Sequence, residues 1–142
     1  MMEVFLDASV LFSAAYSQTG ASRELIRLGV KGEIQLVISN LVCTEALTNL
    51  ESKAPEVAHK LSSFFQAVPF KEVKPGKEEV LAAMKYTEFK DAPVVAAAKC
   101  AEVDYLISLD KAHLVGVAAV QEGSGLNILF PGEFLEIFRK NQ

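Results

Sequence analysis

One stretch decides the fold: Asp104-Tyr105-Leu106-Ile107-Ser108-Leu109-Asp110. Its centre is apolar, favours β-structure and ends at a carboxylate. A second run of this kind, Val4-Phe5-Leu6-Asp7, lies near the N-terminus. Short strands that are apolar throughout, rather than alternately polar, are typical of parallel sheets covered by helices on both faces. The two runs therefore predict parallel strands that bring Asp7 and Asp110 to the same edge of a sheet.

Strands and helices are predicted to alternate along the rest of the chain. The predicted strands are 4–6, 34–38, 70–73, 105–109 and 127–130, and the predicted helices are 21–28, 41–51, 55–66, 77–86, 91–103 and 132–140. This order predicts an α/β fold with three layers, α/β/α, around a parallel sheet of roughly five strands with right-handed crossovers. The chain has 142 residues and shows no linker or repeat, so we expect a single domain over residues 1–142.

Composition excludes several classes of protein. Apolar residues make up 51% and charged residues 23% of the chain, which is typical of a globular domain rather than a disordered one. The longest stretch without a charge, 8–22, is too short to span a bilayer, and the N-terminus lacks the pattern of a secretory signal. We therefore expect a cytoplasmic protein that does not enter membranes. Its two cysteines, expected in the core, and its two histidines lack the spacing of a zinc site.

Two further acids are expected to join the strand-terminal aspartates. Glu45 falls in the second turn of the helix after strand 34–38, and Asp91 opens the helix at 91–103. Both positions belong to the carboxyl edge of the sheet, where α/β proteins bind ligands. Two carboxylates ~4 Å apart at an effective dielectric constant of 20 repel each other by ~4 kcal/mol, and a divalent cation relieves this repulsion. An all-oxygen site favours Mg²⁺ or Mn²⁺ over zinc and suits the hydrolysis of phosphodiesters.

Each acid also has a purely structural interpretation. Asp7, Asp91 and Asp110 are suitable N-caps for the helices that follow them, and Glu45 is a plausible surface acid. Asp104 precedes Asp110 by about 20 Å of extended chain, so we expect it at the opposite edge of the sheet. The net charge of −4 shows no basic footprint for nucleic acid, although overall charge is a poor guide where a site carries its own acids.

The order and spacing of these segments resemble those of the PIN-domain nucleases, and among them the VapC-like toxins of toxin–antitoxin pairs. The resemblance covers essentially the whole chain. The matching segments are Val4 to Leu11, Ser39 to Leu50, and Asp91 to Ala98 followed by Asp104 to Asp110. Pro93 departs from the family pattern, and no arginine-rich element flanks the site. Lys111 and His113, just after Asp110, are the cationic candidates nearest to the site in sequence. The default interpretation of both is that they belong to a solvated loop.

The resemblance implies a metal-dependent ribonuclease site. Asp7, Glu45, Asp91 and Asp110 would be both the catalytic acids and the ligands of Mg²⁺ or Mn²⁺. The hydroxyls of Ser108 and Ser9 would border the site and bind substrate. The alternative for Ser108 is an ordinary strand residue that faces a helix, and the alternative for Ser9 is a helix N-cap.

The expected function is that of a divalent-metal-dependent endoribonuclease that hydrolyses RNA, as the toxin of a toxin–antitoxin pair. An antitoxin protein and a homodimer are the further partners considered. The alternative is a catalytically weak or inactive PIN-fold module that binds RNA or protein. A phosphoaspartate hydrolase of the haloacid dehalogenase kind would need a second acid where Ser9 stands. A receiver domain of two-component signalling also fits badly, because Asp7 is the lone early acid.

Overall fold

Five parallel strands form one sheet in the computed structural model, which describes residues 1–142. In chain order they are β1 (Glu3–Leu6), β2 (Gln35–Ile38), β3 (Lys71–Glu72), β4 (Tyr105–Ile107) and β5 (Ile128–Leu129). Their spatial order is β3-β2-β1-β4-β5. The chain therefore leaves the central strand β1 toward one side of the sheet and later returns to the other side through β4. The carboxyl ends of β1 and β4 flank the topological switch point, where sheets of this kind bind ligands.

Eight helices cover the sheet. They are α1 (Ala8–Tyr16), α2 (Ala21–Val30), α3 (Asn40–Lys53), α4 (His59–Ala67), α5 (Lys77–Ala83), α6 (Ala92–Cys100), α7 (Ala118–Ser124) and α8 (Pro131–Lys140). Two short 3₁₀ turns, Pro55–Val57 and Phe89–Asp91, precede α4 and α6. The predicted three-layer α/β/α architecture with a five-stranded parallel sheet is confirmed. None of the helices combines the length and apolar character needed to cross a membrane.

The central strands are buried on both faces. Consecutive residues of β1 and β4, such as Phe5 and Leu6 or Leu106 and Ile107, are fully inaccessible to solvent. Burial of each such side chain contributes about 1.5–3 kcal/mol, which explains why these strands are apolar throughout. Forty buried apolar residues form one contiguous cluster. The single domain over residues 1–142 stays a prediction.

Some elements differ from those predicted. Helix α1 was considered only through its cap, Asp7, and its extent was not predicted, because an uncharged segment lacks the polar face of an amphipathic helix. Helix α7 was not predicted either, since Gly123 and Ser124 are poor helix formers. Strands β3, β4 and β5 are shorter than predicted. Cys43 is half-buried, but Cys100, at the end of α6, is exposed, so its expected place in the core was wrong.

Candidate metal centre at the carboxyl edge of the sheet

Asp7 is the most tightly held of the predicted acids. It follows β1, caps α1 and is only 9% exposed. Its Oδ1 accepts a hydrogen bond from the Ala8 N–H at 2.8 Å, and its Oδ2 accepts one from the Ser108 hydroxyl at 2.7 Å. Asp7 therefore does cap a helix, and it also lies at the carboxyl edge of the sheet. These contacts fix the carboxylate at the switch point.

Ser108 links the ends of β1 and β4. It is fully buried, and its Oγ also accepts a hydrogen bond from the Asp110 N–H at 3.0 Å. Ser9 lies beside this link, since its Oγ accepts from the Leu109 N–H at 3.1 Å and lies 3.5 Å from Oδ2 of Asp7. The two hydroxyls thus have partners within the protein. Their expected roles in binding substrate stay predictions, and what the structure shows is that they position Asp7 and Asp110.

Asp110 begins a turn rather than a helix. Its Oδ1 accepts a hydrogen bond from the His113 N–H at 3.0 Å, and its Oδ2 lies 3.2 Å from His113 Nδ1. The two side chains remain partly accessible, at 25% for Asp110 and 35% for His113. Asp110 is therefore ordered by its own loop while still facing solvent.

Asp91 has no such support. It ends the 3₁₀ turn before α6 and occupies the N-cap position of that helix, but its side chain makes no capping hydrogen bond. Its Oδ2 is buried and has no hydrogen-bond partner. A buried polar atom without a partner costs about 1–3 kcal/mol and requires an explanation. A cation is the partner that suits a carboxylate oxygen.

Glu45 is carried by the second turn of α3, as expected. Ser39 caps this helix by accepting a hydrogen bond from the Val42 N–H at 3.4 Å. The residue as a whole is exposed, yet the protein beneath it partly desolvates the carboxylate. This desolvation raises the pKa of Glu45, and the charges of Asp7 and Asp91 raise it further. The Glu45 carboxylate therefore lies within electrostatic reach of the two acids, although they are distant in sequence.

The acids also influence one another's pKa values. Burial raises the pKa of Asp7 above its ordinary value, against its hydrogen bonds, and Asp110 raises it further. Burial also raises the pKa of Asp91, as do Asp110 and Asp7. Ligand atoms of Asp91, Asp110 and His113 lie within 4.8 Å of one another. Asp91 and Asp110 thus lie close together, and Asp7 and Glu45 are within electrostatic reach of them. Oxygen donors with an unpartnered buried atom fit a divalent cation.

A family model described as PIN domain matches residues 3–112. The chain belongs to the PIN domain family. No curated protein matches the sequence.

Solved structures share the fold of this PIN domain at low sequence identity. PAE2754 from Pyrobaculum aerophilum superposes with a TM-score of 0.67 at 20% identity, covering 99% of this chain and 91% of the other. VapBC2 from Rickettsia felis, bound to a DNA fragment from its promoter, gives 0.63 at 12% identity, with coverage of 89% and 97%. VapC20 from Mycobacterium tuberculosis, a toxin that cleaves the sarcin–ricin loop, gives 0.53 at 17%, with coverage of 77% and 91%.

Two further side chains of this PIN domain lie beside the acids, and neither was assigned a role in the site from the sequence. His113 was assigned to a solvated loop, although its ring contacts Asp110; the spacing of three residues is the signal, since one turn brings such a pair together. Lys90, next to Asp91 in the sequence, is the other. Its positive charge opposes the rise in the pKa of both Glu45 and Asp91.

The fourth aspartate lies where it was expected, at the opposite edge. Asp104 Oδ2 accepts a hydrogen bond from the Glu3 N–H at 2.7 Å, at the start of β1. The side chain is therefore structural and remote from the other three aspartates. Its distance from the acidic group makes it a matched control for substitutions at the site.

Proposed function

We propose that this PIN domain is a divalent-metal-dependent endoribonuclease. The observation that carries the proposal is the buried, unpartnered Oδ2 of Asp91, in a carboxylate that lies within 4.8 Å of that of Asp110. In this proposal Asp7, Glu45, Asp91 and Asp110 are the catalytic residues and the ligands of Mg²⁺ or Mn²⁺. When bound, the cation supplies Lewis-acid chemistry to phosphodiester hydrolysis.

The chain's own residues prepare the site in two ways. One hydrogen bond from the Ser108 hydroxyl and one from the Ala8 N–H hold Asp7 in one orientation, so this carboxylate needs no rearrangement to bind a cation. Burial raises the pKa values of Asp7, Glu45 and Asp91, and neighbouring acids raise them further, so the ionised carboxylates are disfavoured when no cation is bound. These residues would hold a cation in their ionised form, so metal affinity should increase with pH.

RNA is the proposed substrate. Lys90 and Lys111 are the side chains proposed to contact its phosphates, and the hydroxyls of Ser108 and Ser9 are the proposed substrate-binding groups. The activity named for the Mycobacterium tuberculosis toxin supports cleavage of a structured RNA. The similarity in fold to the VapBC2 complex from Rickettsia felis supports a toxin–antitoxin role. We therefore propose a cytoplasmic toxin that is silenced by an antitoxin protein and forms a homodimer.

Cleavage of a structured RNA in Mn²⁺ tests the proposal. We expect cleavage by the wild-type protein, complete loss in EDTA, and a decrease of about 100-fold or more in Asp7→Asn, which removes the charge of one direct ligand. Asp104→Asn makes the same chemical change at the opposite edge and should cleave normally. Cleavage that persists in EDTA would remove the proposed mechanism.

The same samples distinguish the alternative of an inactive module. A binding module would retain RNA without cutting it, and neither Asp7→Asn nor Mg²⁺ would change its affinity. A purified complex with the product of a short neighbouring reading frame, with loss of RNA cleavage in that complex, would support the antitoxin assignment. Sedimentation of the free protein tests the homodimer.

A further inference from the structure

We propose that His113 is a direct ligand of the metal ion, beside Asp91 and Asp110, and that it makes the site prefer the transition ion Mn²⁺ over Mg²⁺. This inference rests on the proposed metal-dependent function and adds a nitrogen donor to an acidic set expected to contain only oxygen. The residue was placed in a solvated loop by its sequence context. The structure puts its ring within the acidic group.

The distances match those between neighbouring ligands of one ion. His113 Nδ1 lies 3.2 Å from Asp110 Oδ2. Adjacent ligands of an octahedral ion, each about 2.1 Å from the metal at right angles, lie about 3 Å apart. An atom of Asp91 completes a triangle with sides no longer than 4.8 Å. Small movements of three side chains would therefore give all three groups a common ion.

The ring of His113 is not required to orient Asp110. The main-chain N–H of His113 already donates to Asp110 Oδ1 at 3.0 Å, and the Asp110 main chain is tied to Ser108. The imidazole can therefore exchange its contact with Asp110 Oδ2 for a metal bond without releasing the carboxylate. Partial exposure of the ring, at 35%, leaves it free to make this adjustment.

A second observation connects the ring to Asp91 as well as to Asp110. A ring nitrogen of His113 lies within 4.8 Å of a carboxylate oxygen of each acid. Asp91 Oδ2 is also the buried oxygen that lacks a partner. An ion shared by the three residues would give this oxygen a partner and would use the ring nitrogen that now faces Asp110.

The donor set determines which ion is preferred. Mg²⁺ favours oxygen ligands and gives up its waters reluctantly, whereas imidazole nitrogen favours first-row transition ions. Replacing one oxygen of the shell with the nitrogen of His113 should therefore increase the affinity for Mn²⁺ more than that for Mg²⁺.

Binding of Mn²⁺ to the full chain, without RNA, tests the assignment. Electron spin-echo spectroscopy of bound Mn²⁺ should show modulation from one directly bonded imidazole nitrogen. Mn²⁺ titrations with Mg²⁺ as competitor should give an affinity ratio that falls about tenfold or more in His113→Gln, since altering groups around a metal costs 10–100-fold in affinity. His59→Ala removes the other histidine, which is exposed at the start of α4, and should change neither result.

Several results would overturn the assignment. One is bound Mn²⁺ without nitrogen modulation in the wild-type protein. Another is an equal loss of Mn²⁺ and Mg²⁺ affinity in His113→Gln, which would make His113 a positioning residue for Asp110. A third is that Mn²⁺ fails to bind. RNA cleavage measured on the same preparations separates this inference from the proposed function: cleavage without nitrogen modulation refutes the ligand alone, and modulation without cleavage refutes the ribonuclease alone.

Discussion

Asp91→Asn should make the metal-free protein more stable at neutral pH. Ligand atoms of Asp91 and Asp110 lie within 4.8 Å, so their charges repel by about 3.5 kcal/mol at an effective dielectric constant of 20. Because both groups are partly exposed, solvent screening reduces this to about 1–2 kcal/mol. For a chain of this length, that corresponds to an increase of about 3–7 °C in Tm.

Metal should reverse the order of stability. Mn²⁺ at 100 times its Kd should stabilise the wild-type protein by about 2.7 kcal/mol through binding to the native state. Asp91→Asn lacks one ligand and should gain far less. Thermal unfolding followed by circular dichroism, with EDTA and with Mn²⁺, measures both effects. Asp104→Asn, which loses a hydrogen bond to the Glu3 N–H instead, should lose a little stability and keep the full response to Mn²⁺.

The stability advantage of Asp91→Asn should depend on pH. The pKa of Asp91 is raised in the folded protein from its ordinary value of 3.8, chiefly by burial and by Asp110. Its contribution to stability is therefore fully present below pH 3.8 and is lost as the pH rises through the folded value. The advantage of Asp91→Asn should be absent near pH 4 and complete at pH 7. A variant less stable than wild type at pH 7 in EDTA would refute the electrostatic account.

Two other substitutions test separate parts of the structure. Ser108→Ala removes the hydroxyl that lowers the pKa of Asp7; it should destabilise the fold by about 1–3 kcal/mol and move the acidic limb of the cleavage–pH profile to higher pH. Gly29→Ala would bring a Cβ within 2.6 Å of a Leu36 methyl group and should cost about 1–3 kcal/mol in a denaturant titration, whereas Gly132→Ala meets nothing within 4 Å and should leave stability unchanged or raise it.

Local sequence was sufficient to locate the strand-terminal acids. A parallel strand that is apolar throughout and ends at a carboxylate has only one place for that carboxylate, so the positions of Asp7 and Asp110 followed from the strands. The helix carrying Glu45 and the turn carrying Asp91 each follow a predicted strand or precede a predicted helix. Their common location at one edge therefore followed from the parallel topology.

Contacts that depend on register and loop conformation could not be predicted in the same way. The hydroxyl of Ser108 reaches Asp7 because Leu6 pairs with Ile107, and the sequence does not specify this register. The ring of His113 returns to Asp110 only because the chain turns after β4. Helix α1 was missed since its apolar composition conceals its period, although Asp7 before it was a capping signal.

Anomalous diffraction from a crystal soaked in Mn²⁺ tests the central claim most directly. We predict a Mn²⁺ peak bonded to carboxylate oxygens of Asp7, Asp91 or Asp110, at a point shared by at least two of them, with Glu45 as a ligand or within reach of a water on the ion. The contradictory result is a fully soaked crystal with no peak at the carboxyl edge of the sheet, or with Mn²⁺ bound only elsewhere, such as beside Asp104.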